Sequence, residues 1–339
     1  MKATSAPLVS IIIIAWNNKE HLAVCLGRLL RQIKSDIEII LVDNGSTDGL
    51  DLDHIPSSPD VSLRIERFSS NLGFAVANNI GARLACGEWL VLLNADAYPE
   101  PDWLENLLRA AEQNPGYNFF SSRQIQYNDP RLLDGAGDEY HVSGLAWRRF
   151  YNYTADQYGL APQEVFGACA AAAMYRREDF LKAGGFDEDY FSYFEDVDLS
   201  FRLRLAGGRC LYAPDAVVRH VGSASAGKLS DFVIYHGHRN LVWTFIKNMP
   251  GPLVWVYLPL HLLMNLFFMI SFTFRGKGSA ILRAKRDALL KIADVLRKRK
   301  STQSLRTTSA RSLHQWMKTG LLDPYWASRQ RKREGRHDR

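Results

Sequence analysis

Cysteine is scarce in this chain, with four among 339 residues: Cys25, Cys86, Cys169 and Cys210. They lie far apart, without a CxxC pair, which argues against a zinc site or a disulfide framework. Small buried core residues in a reducing compartment are the expectation. A cleavable leader is not expected. The opening MKATSAPLVSIIIIAWNN has only a few consecutive apolar residues and no cleavage signature, so it reads as a first strand. The loop after that strand, Ala15-Trp16-Asn17-Asn18-Lys19, has no glycine. That counts against a nucleotidyltransferase, which needs a glycine-rich, basic loop there to cradle a triphosphate. No nucleic-acid recognition motif or basic, aromatic face shows in the body of the chain, so no nucleic-acid partner is expected. Charge is absent altogether from Gly251 to Phe274.

Elsewhere charge is unevenly spread. The net charge is +6, yet Arg275–Arg339 holds 19 basic and 5 acidic side chains, which leaves the preceding residues net acidic. An acidic body with a basic tail predicts an anionic surface as the tail's partner. The uncharged stretch is long enough to span a membrane as a helix, about 36 Å at 1.5 Å per residue. Pro259, His261 and Asn265 interrupt it. Its aromatics and the basic run behind it (Arg275, Lys277, Arg283, Lys285, Arg286) fit a membrane-interface segment. A buried helical hairpin kinked at Pro259 is the competing reading. Residues 301–339 are polar and basic, and the expectation is loose order.

From the start, short β-branched runs alternate with helical spacing. Leu8–Ala15 and Ile37–Val42 read as strands buried on both faces. Lys19–Gln32 has helical periodicity, and the rhythm repeats through a strand at 61–67, a helix at 74–85, a strand at 88–93 and a helix at 101–113. This predicts an α/β doubly wound, mostly parallel sheet flanked by helices. Ligands of such sheets bind beyond the carboxyl ends of the strands, where Asp43 and Asn94-Ala95-Asp96 would sit. Residues 121–165 have no clear period and read as a hairpin or loop insertion. The small-residue run Phe166–Tyr175 is a helix by propensity and a strand by context. A helix at 177–183 stopping at Gly184-Gly185, a strand at 209–213 and a helix at 229–248 complete the reading.

The chain is organised around Phe194-Glu195-Asp196-Val197-Asp198, three carboxylates at the start of an amphipathic helix. Glu195 and Asp198 share a face at i, i+3. The helix dipole offsets part of their repulsion. By itself this fits an acidic first turn with an Asp198–Arg202 surface pair as well as it fits a catalytic base. Likewise Asp43 could open an Asx-turn or accept from a base or ribose. Asp96 could close a turn or bind a hard cation shared with a diphosphate. His220 could be structural or a metal ligand.

Taken together, VSIIIIAWNN, IEIILVDNGSTDG, NLGFAVANNIGARLACGEWLVLLNADA and GGFDEDYFSYFEDVDLSFRLRLAG, in that order, resemble the inverting family 2 glycosyltransferases with the GT-A fold. The similarity covers roughly residues 8–248 and is nearest to the rhamnosyltransferase-like branch of bacterial surface polysaccharide synthesis. It implies a glycosyltransferase domain over 1–248, with a nucleotide-sugar half to about residue 120 and an acceptor half beyond. A membrane-associating segment at 249–300 and a basic tail at 301–339 would follow. It also implies roles. Asp43 with Ala15 and Asn17 would hold base and ribose. Asn71, Gly73, Asn78 and Asn79 would line the nucleotide-sugar site. Asp96 would bind Mg2+ or Mn2+, completed by His220, and Asn94 stands where many members carry a first Asp. Asp196 would be the general base. Glu195 or Asp198 would raise its pKa and help position the acceptor, and Arg239-Asn240 would serve the acceptor or diphosphate side. The implied substrates are a nucleoside-diphosphate sugar, with rhamnose or another deoxyhexose foremost, and a lipid-linked saccharide. The implied setting is the cytoplasmic face of a bacterial membrane, peripheral or monotopic. A non-catalytic scaffold that kept the fold is the alternative, and the intact acidic cluster counts against it.

Overall fold

The computed structural model describes residues 8–32, 37–52, 55, 61–222 and 230–327. The early rhythm folds as expected. It runs β1 (Val9–Ala15), α1 (Lys19–Leu29), β2 (Ile37–Asp43), β3 (Ser62–Arg67), α2 (Phe74–Leu84), β4 (Trp89–Asn94), β5 (Ala97–Pro99) and α3 (Trp103–Gln113). The second half adds β6 (Phe119–Gln126), β7 (Leu133–Gly135), β8 (Asp138–Tyr140), β9 (Ala146–Arg148), β10 (Gln163–Val165), β11 (Ala172–Arg176), α4 (Arg177–Lys182), α5 (Glu195–Leu205) and β12 (Cys210–His220). The chain continues as α6 (Asp231–Asn248), α7 (Gly251–Phe274), α8 (Gly278–Leu290), α9 (Ile292–Ser304) and α10 (Ala310–His314).

One sheet runs through both halves in the order β10-β12-β6-β11-β4-β1-β2-β3, with β5 on β12 and β7 on β6. Strands β4, β1, β2 and β3 are mutually parallel, and β6 and β12 are parallel to each other. Between those groups lies β11, antiparallel to β4 and β6. The isoleucines of β1 explain its central place: Ile11, Ile12 and Ile13 are fully buried and serve cores on both faces of the sheet. A strand covered on both sides needs apolar residues on both faces, and β-branched ones suit its extended backbone.

Several expectations change. Of the two readings of residues 166–175 the strand holds from Ala172, as β11, while Gly167 bridges Asp138 and 170–171 turn beside α5. A Cβ at Gly167 would lie 2.6 Å from the Ser200 side chain, so the small residues there permit α5's close approach. The strand expected at 209–213 continues to His220 through an irregularity between Ala213 and Val217. Helix α7 runs through Pro259 without turning back, so there is no hairpin kinked there. Residues 301–327 are not loose. The amides of Thr307 and Thr308 donate to the Leu205 carbonyl at the end of α5, and Lys318 bridges His141. The rest of the expected tail lies outside the described residues. Cysteines 25 and 210 are buried, but Cys86 is exposed, and all four are free.

Candidate active site

The carboxyl ends of β1, β2 and β4 lie side by side, with Ala15 opposite Asp43 and Ile14 opposite Asn94, and the crevice expected beyond them would open there. At the β1 end, the Asn17 amide donates to Ser46 Oγ at 3.1 Å and Asn17 Oδ1 accepts from the Thr47 amide at 2.7 Å. Asp43, buried at the end of β2, accepts from the Ser46 amide through Oδ1 at 2.9 Å, and its Oδ2 lies 3.9 Å from Arg67 Nε. The Asx-type turn is present: it fixes one oxygen of Asp43 and leaves the second near a cation. Asn71 is placed by Asn44, whose Nδ2 donates to its Oδ1 at 2.9 Å.

Not every expected donor-site residue faces the crevice. Asn79 spends its amide on the Phe186 backbone, donating at 2.8 Å and accepting at 2.8 Å, so it clamps the segment before the acidic stretch. Asn78 is buried and bonds the Phe74 carbonyl within its own helix. Gly73, at φ 91°, makes room for Phe191, whose ring a Cβ would meet at 2.6 Å. These three shape the site from behind.

At the other end, β5 pairs with β12 and sets Asp96 beside His220, with Nε2 3.4 Å from Asp96 Oδ1. His220 Nδ1 lies 2.8 Å from Asp134 Oδ2, and Arg148 pairs with that same oxygen. These carboxylates hold the imidazole's pKa up at about 9 against its burial. Although burial would raise it, the Asp96 carboxyl is held low, chiefly by the hydrogen bond and charge of His220. Asp134 was not legible in the sequence, where Leu-Asp-Gly reads as an ordinary turn. Among the described residues no three His, Cys, Asp or Glu side chains converge as a complete metal cage.

Asp196 sits near this pair through the backbone. Its Oδ2 accepts from the Ala170 amide at 3.2 Å, and the next carbonyl, of Ala171, accepts from the Asn94 amide at 2.9 Å. Its Oδ1 accepts from the Val197 amide at 2.8 Å. Its pKa is raised by the surrounding bulk of the protein, while those amides and Arg148 pull it back. Two buried carboxyls feel its charge: Glu195 beside it in the acidic stretch, and Asp138 on β8 from outside the stretch, whose own pKa is pushed far up by burial and then by Asp196. Asp138 Oδ2 finds no hydrogen-bond partner among the described residues, nor does Glu195 Oε2. Glu195 is buried, with its pKa also driven up.

Asp198 does not reach a ligand. Fully buried, it pairs with Arg202 at 2.8 Å and Lys247 at 2.8 Å, and these cations hold its pKa low. The expected surface pair is thus an internal one, and Asp198 fastens α5 to α6. Arg239 and Asn240 also act on backbone. Asn240 Nδ2 lies 3.0, 3.0 and 2.7 Å from the carbonyls of Tyr190, Ser192 and Tyr193. Arg239 donates to the carbonyls of Asp189 and Tyr190. Between them they grip a loop in which Phe191, Tyr193 and Phe194 all have positive φ, just ahead of Asp196.

A mostly parallel sheet, a polar crevice beyond its strand ends, an Asp–His pair on one side and a helix-start carboxylate on the other define a group-transfer α/β enzyme. Residues 10–184 match the model of glycosyl transferase family 2, and the chain belongs to that family. It is 32% identical over 251 residues to N-acetylglucosaminyl-diphospho-decaprenol L-rhamnosyltransferase of Mycobacterium tuberculosis, covering 65% of this chain and 78% of that one. It is 31% identical over 228 residues to validoxylamine A glucosyltransferase of Streptomyces hygroscopicus, covering 60% of this chain and 53% of that one. The fold is similar to a Pyrobaculum calidifontis mannosyltransferase in complex with GDP-Man and Mn2+, at TM-score 0.53, 20% identity and coverage of 92% and 86%. It is also similar to GalNAc-T7 with UDP, GalNAc and Mn2+, at TM-score 0.54, 16% identity and coverage of 72% and 48%. The protein is a glycosyltransferase with a GT-A-like fold, which favours that reading over the scaffold and nucleotidyltransferase alternatives.

Proposed function

We propose that the protein moves a sugar, with inversion, from a nucleoside-diphosphate donor to a lipid-linked saccharide at the cytoplasmic face of a bacterial membrane. The half up to about residue 120 would hold the donor and residues 121–248 the acceptor, and rhamnose on thymidine diphosphate is the first donor to test. Similarity to a relative whose name carries both a lipid-linked acceptor and rhamnosyl transfer supports this choice. The observation that carries the chemistry is Asp196. Its carboxylate has a raised pKa and two amide anchors, and the backbone links it to Asn94, two residues from Asp96.

Asp196 takes the proton of the acceptor hydroxyl as that oxygen bonds to the anomeric carbon. The bond from that carbon to the diphosphate breaks on the opposite face, and the diphosphate leaves with the electron pair. A raised pKa makes Asp196 a stronger base. A carboxylate oxygen next to an imidazole nitrogen suits Mg2+ or Mn2+, which commonly take one or two protein ligands and fill the rest from phosphate and water. Asp96 and His220 would hold that cation, with Asp134 on Nδ1 orienting the ring so that Nε2 faces it. When bound, it neutralises charge on the departing diphosphate.

Asp196→Asn is expected to abolish transfer, while a thermal-shift assay still detects binding of the nucleotide sugar. Near-normal turnover in that variant would remove Asp196 from the role. A ligand at a hundred times its Kd stabilises by about 2.7 kcal/mol, which such an assay reads easily. Stabilisation by one nucleotide sugar that needs Mn2+ or Mg2+ would identify the donor.

A further inference from the structure

We infer that α7 docks lengthwise in the plane of an anionic lipid surface and does not cross the bilayer. Its length and composition alone suit a span. The structure, however, divides its circumference. At 100° per residue, exposed Trp255, Leu262, Leu263, Leu266, Phe267 and Ile270 fall within an arc of about 140°. His261, Asn265 and Phe272 are buried on the opposite side.

The buried side is fastened to the protein along its length. Tyr257 Oη lies 2.6 Å from His314 Nε2, and His261 Nδ1 lies 2.7 Å from the Ser143 carbonyl. Further along, Phe268 and Phe272 pack on the His238 ring. A helix crossing the bilayer would drag the β8–β9 hairpin and the polar groups of α6 into hydrocarbon, where no water satisfies their hydrogen bonds. Lying flat, the same helix buries its apolar arc and leaves the rest of the body in water.

Helix α8 packs beside α7 on α6, through Phe272, Ile281 and Ile234, and its own outer side carries charge. Exposed Leu282, Leu289 and Leu290 share an arc with exposed Arg283 and Arg286, while Ile281, Ala284 and Ala288 are buried opposite. Leucine interleaved with arginine on one helix face matches an anionic lipid surface, with apolar side chains entering the acyl boundary and guanidinium groups at the phosphates. A second copy of this chain would meet the same arginines and be repelled. The hydrogen bond from His261 to Ser143 joins the docked helix to the hairpin that carries Asp138. Docking therefore holds the acceptor side of the crevice at the lipid surface.

This rests on the proposed membrane-side action, and nucleotide-sugar thermal shifts in detergent-free buffer test that reading separately. The experiment floats the full chain with vesicles of phosphatidylcholine alone or with phosphatidylglycerol added. Binding is expected only to the anionic vesicles, lost in Leu263→Glu/Phe267→Glu, and about tenfold or more weaker in Arg283→Glu/Arg286→Glu. Donor thermal shifts are expected to be unchanged in both. Fluorophores on Trp255→Cys, Leu263→Cys and Ile270→Cys, each in a Cys86→Ser background, are expected to show the same shallow quenching by depth-placed brominated lipids. Deepest quenching at residue 263 would mean a span and overturn the proposal. So would equal flotation with neutral vesicles, or no flotation together with a dimer by analytical ultracentrifugation.

Discussion

At the residue scale the costliest feature is the run of left-handed residues ahead of Asp196. Each such non-glycine residue costs on the order of 1–3 kcal/mol, and Phe191, Tyr193 and Phe194 are three of them in four positions. Asn240 is the side chain that meets this cost, because its amide holds the loop's carbonyls together. Asn240→Ala is expected to lower stability by about 1–3 kcal/mol and to cut kcat by far more than donor affinity. Chemical denaturation with steady-state kinetics and a donor thermal shift check both parts; an unchanged kcat would make the loop's strain irrelevant to turnover. Neither partner was legible as a loop clamp. The family resemblance implied an acceptor or diphosphate role for Arg239-Asn240, and only the fold shows carbonyls in front of the pair.

At the element scale, α5 is buried nearly all round, and its arginines are spent on backbone: Arg202 on the Gly185 carbonyl, Arg204 on that of Phe166. That explains how a helix beginning with three carboxylates stays in the core. Helix α8 makes a different trade. Lys285 is buried against α6, donating to the His238 carbonyl at 2.8 Å, and burial lowers its pKa to about 7. Because the unfolded chain keeps this lysine protonated to about pH 10, unfolding takes up a proton between those values. Stability from this group therefore rises as pH increases from about 7 to about 10, and the full penalty applies below 7. Lys285→Met is expected to stabilise the protein at pH 6–7 and to flatten that rise. Urea denaturation at pH 6.5 and 9 measures it, and equal gains at the two pH values would count against a charged, buried Lys285.

At the scale of the whole molecule, the basic segment turns partly inward. Lys298 pairs with Asp189 at 2.7 Å and also with Asp187, and Arg299 donates to the Met249 carbonyl at 2.7 Å. Part of the partner expected to be an external anionic surface is thus the chain's own acidic body. Removing residues 275–339 would strip buried Ile281 and Val295 from the cores, so it cannot report on membrane binding alone. A cut after Ser304 spares α8 and α9, though it takes buried Leu313 and Met317 and the His314 partner of Tyr257. It frees the Leu205 carbonyl from Thr307 and Thr308, the β8 edge from Lys318, and Arg204 from the Trp316 ring, 4.7 Å away. The expected result is a lower Tm and weak transfer with vesicle binding retained through α7 and α8. Full activity after the cut would show that these contacts do not support the acceptor side.

The sequence by itself determined the parallel half of the sheet, the positions of Asp43, Asp96 and Asp196 at element ends, and the apolar length of α7. Each depends on local spacing: β-branched runs, a turn after a strand, a carboxylate at a helix start. The tertiary structure alone decided which neighbours those groups meet. Asp134 reaches His220 and Asp138 reaches Asp196 across long stretches of chain, while Asp198 and Asn79 turn inward. It also decided that one side of α7 belongs to the protein. Periodicity tells which side chains share a face, but the partner of that face is set by packing between segments far apart in the chain, and no local pattern encodes it.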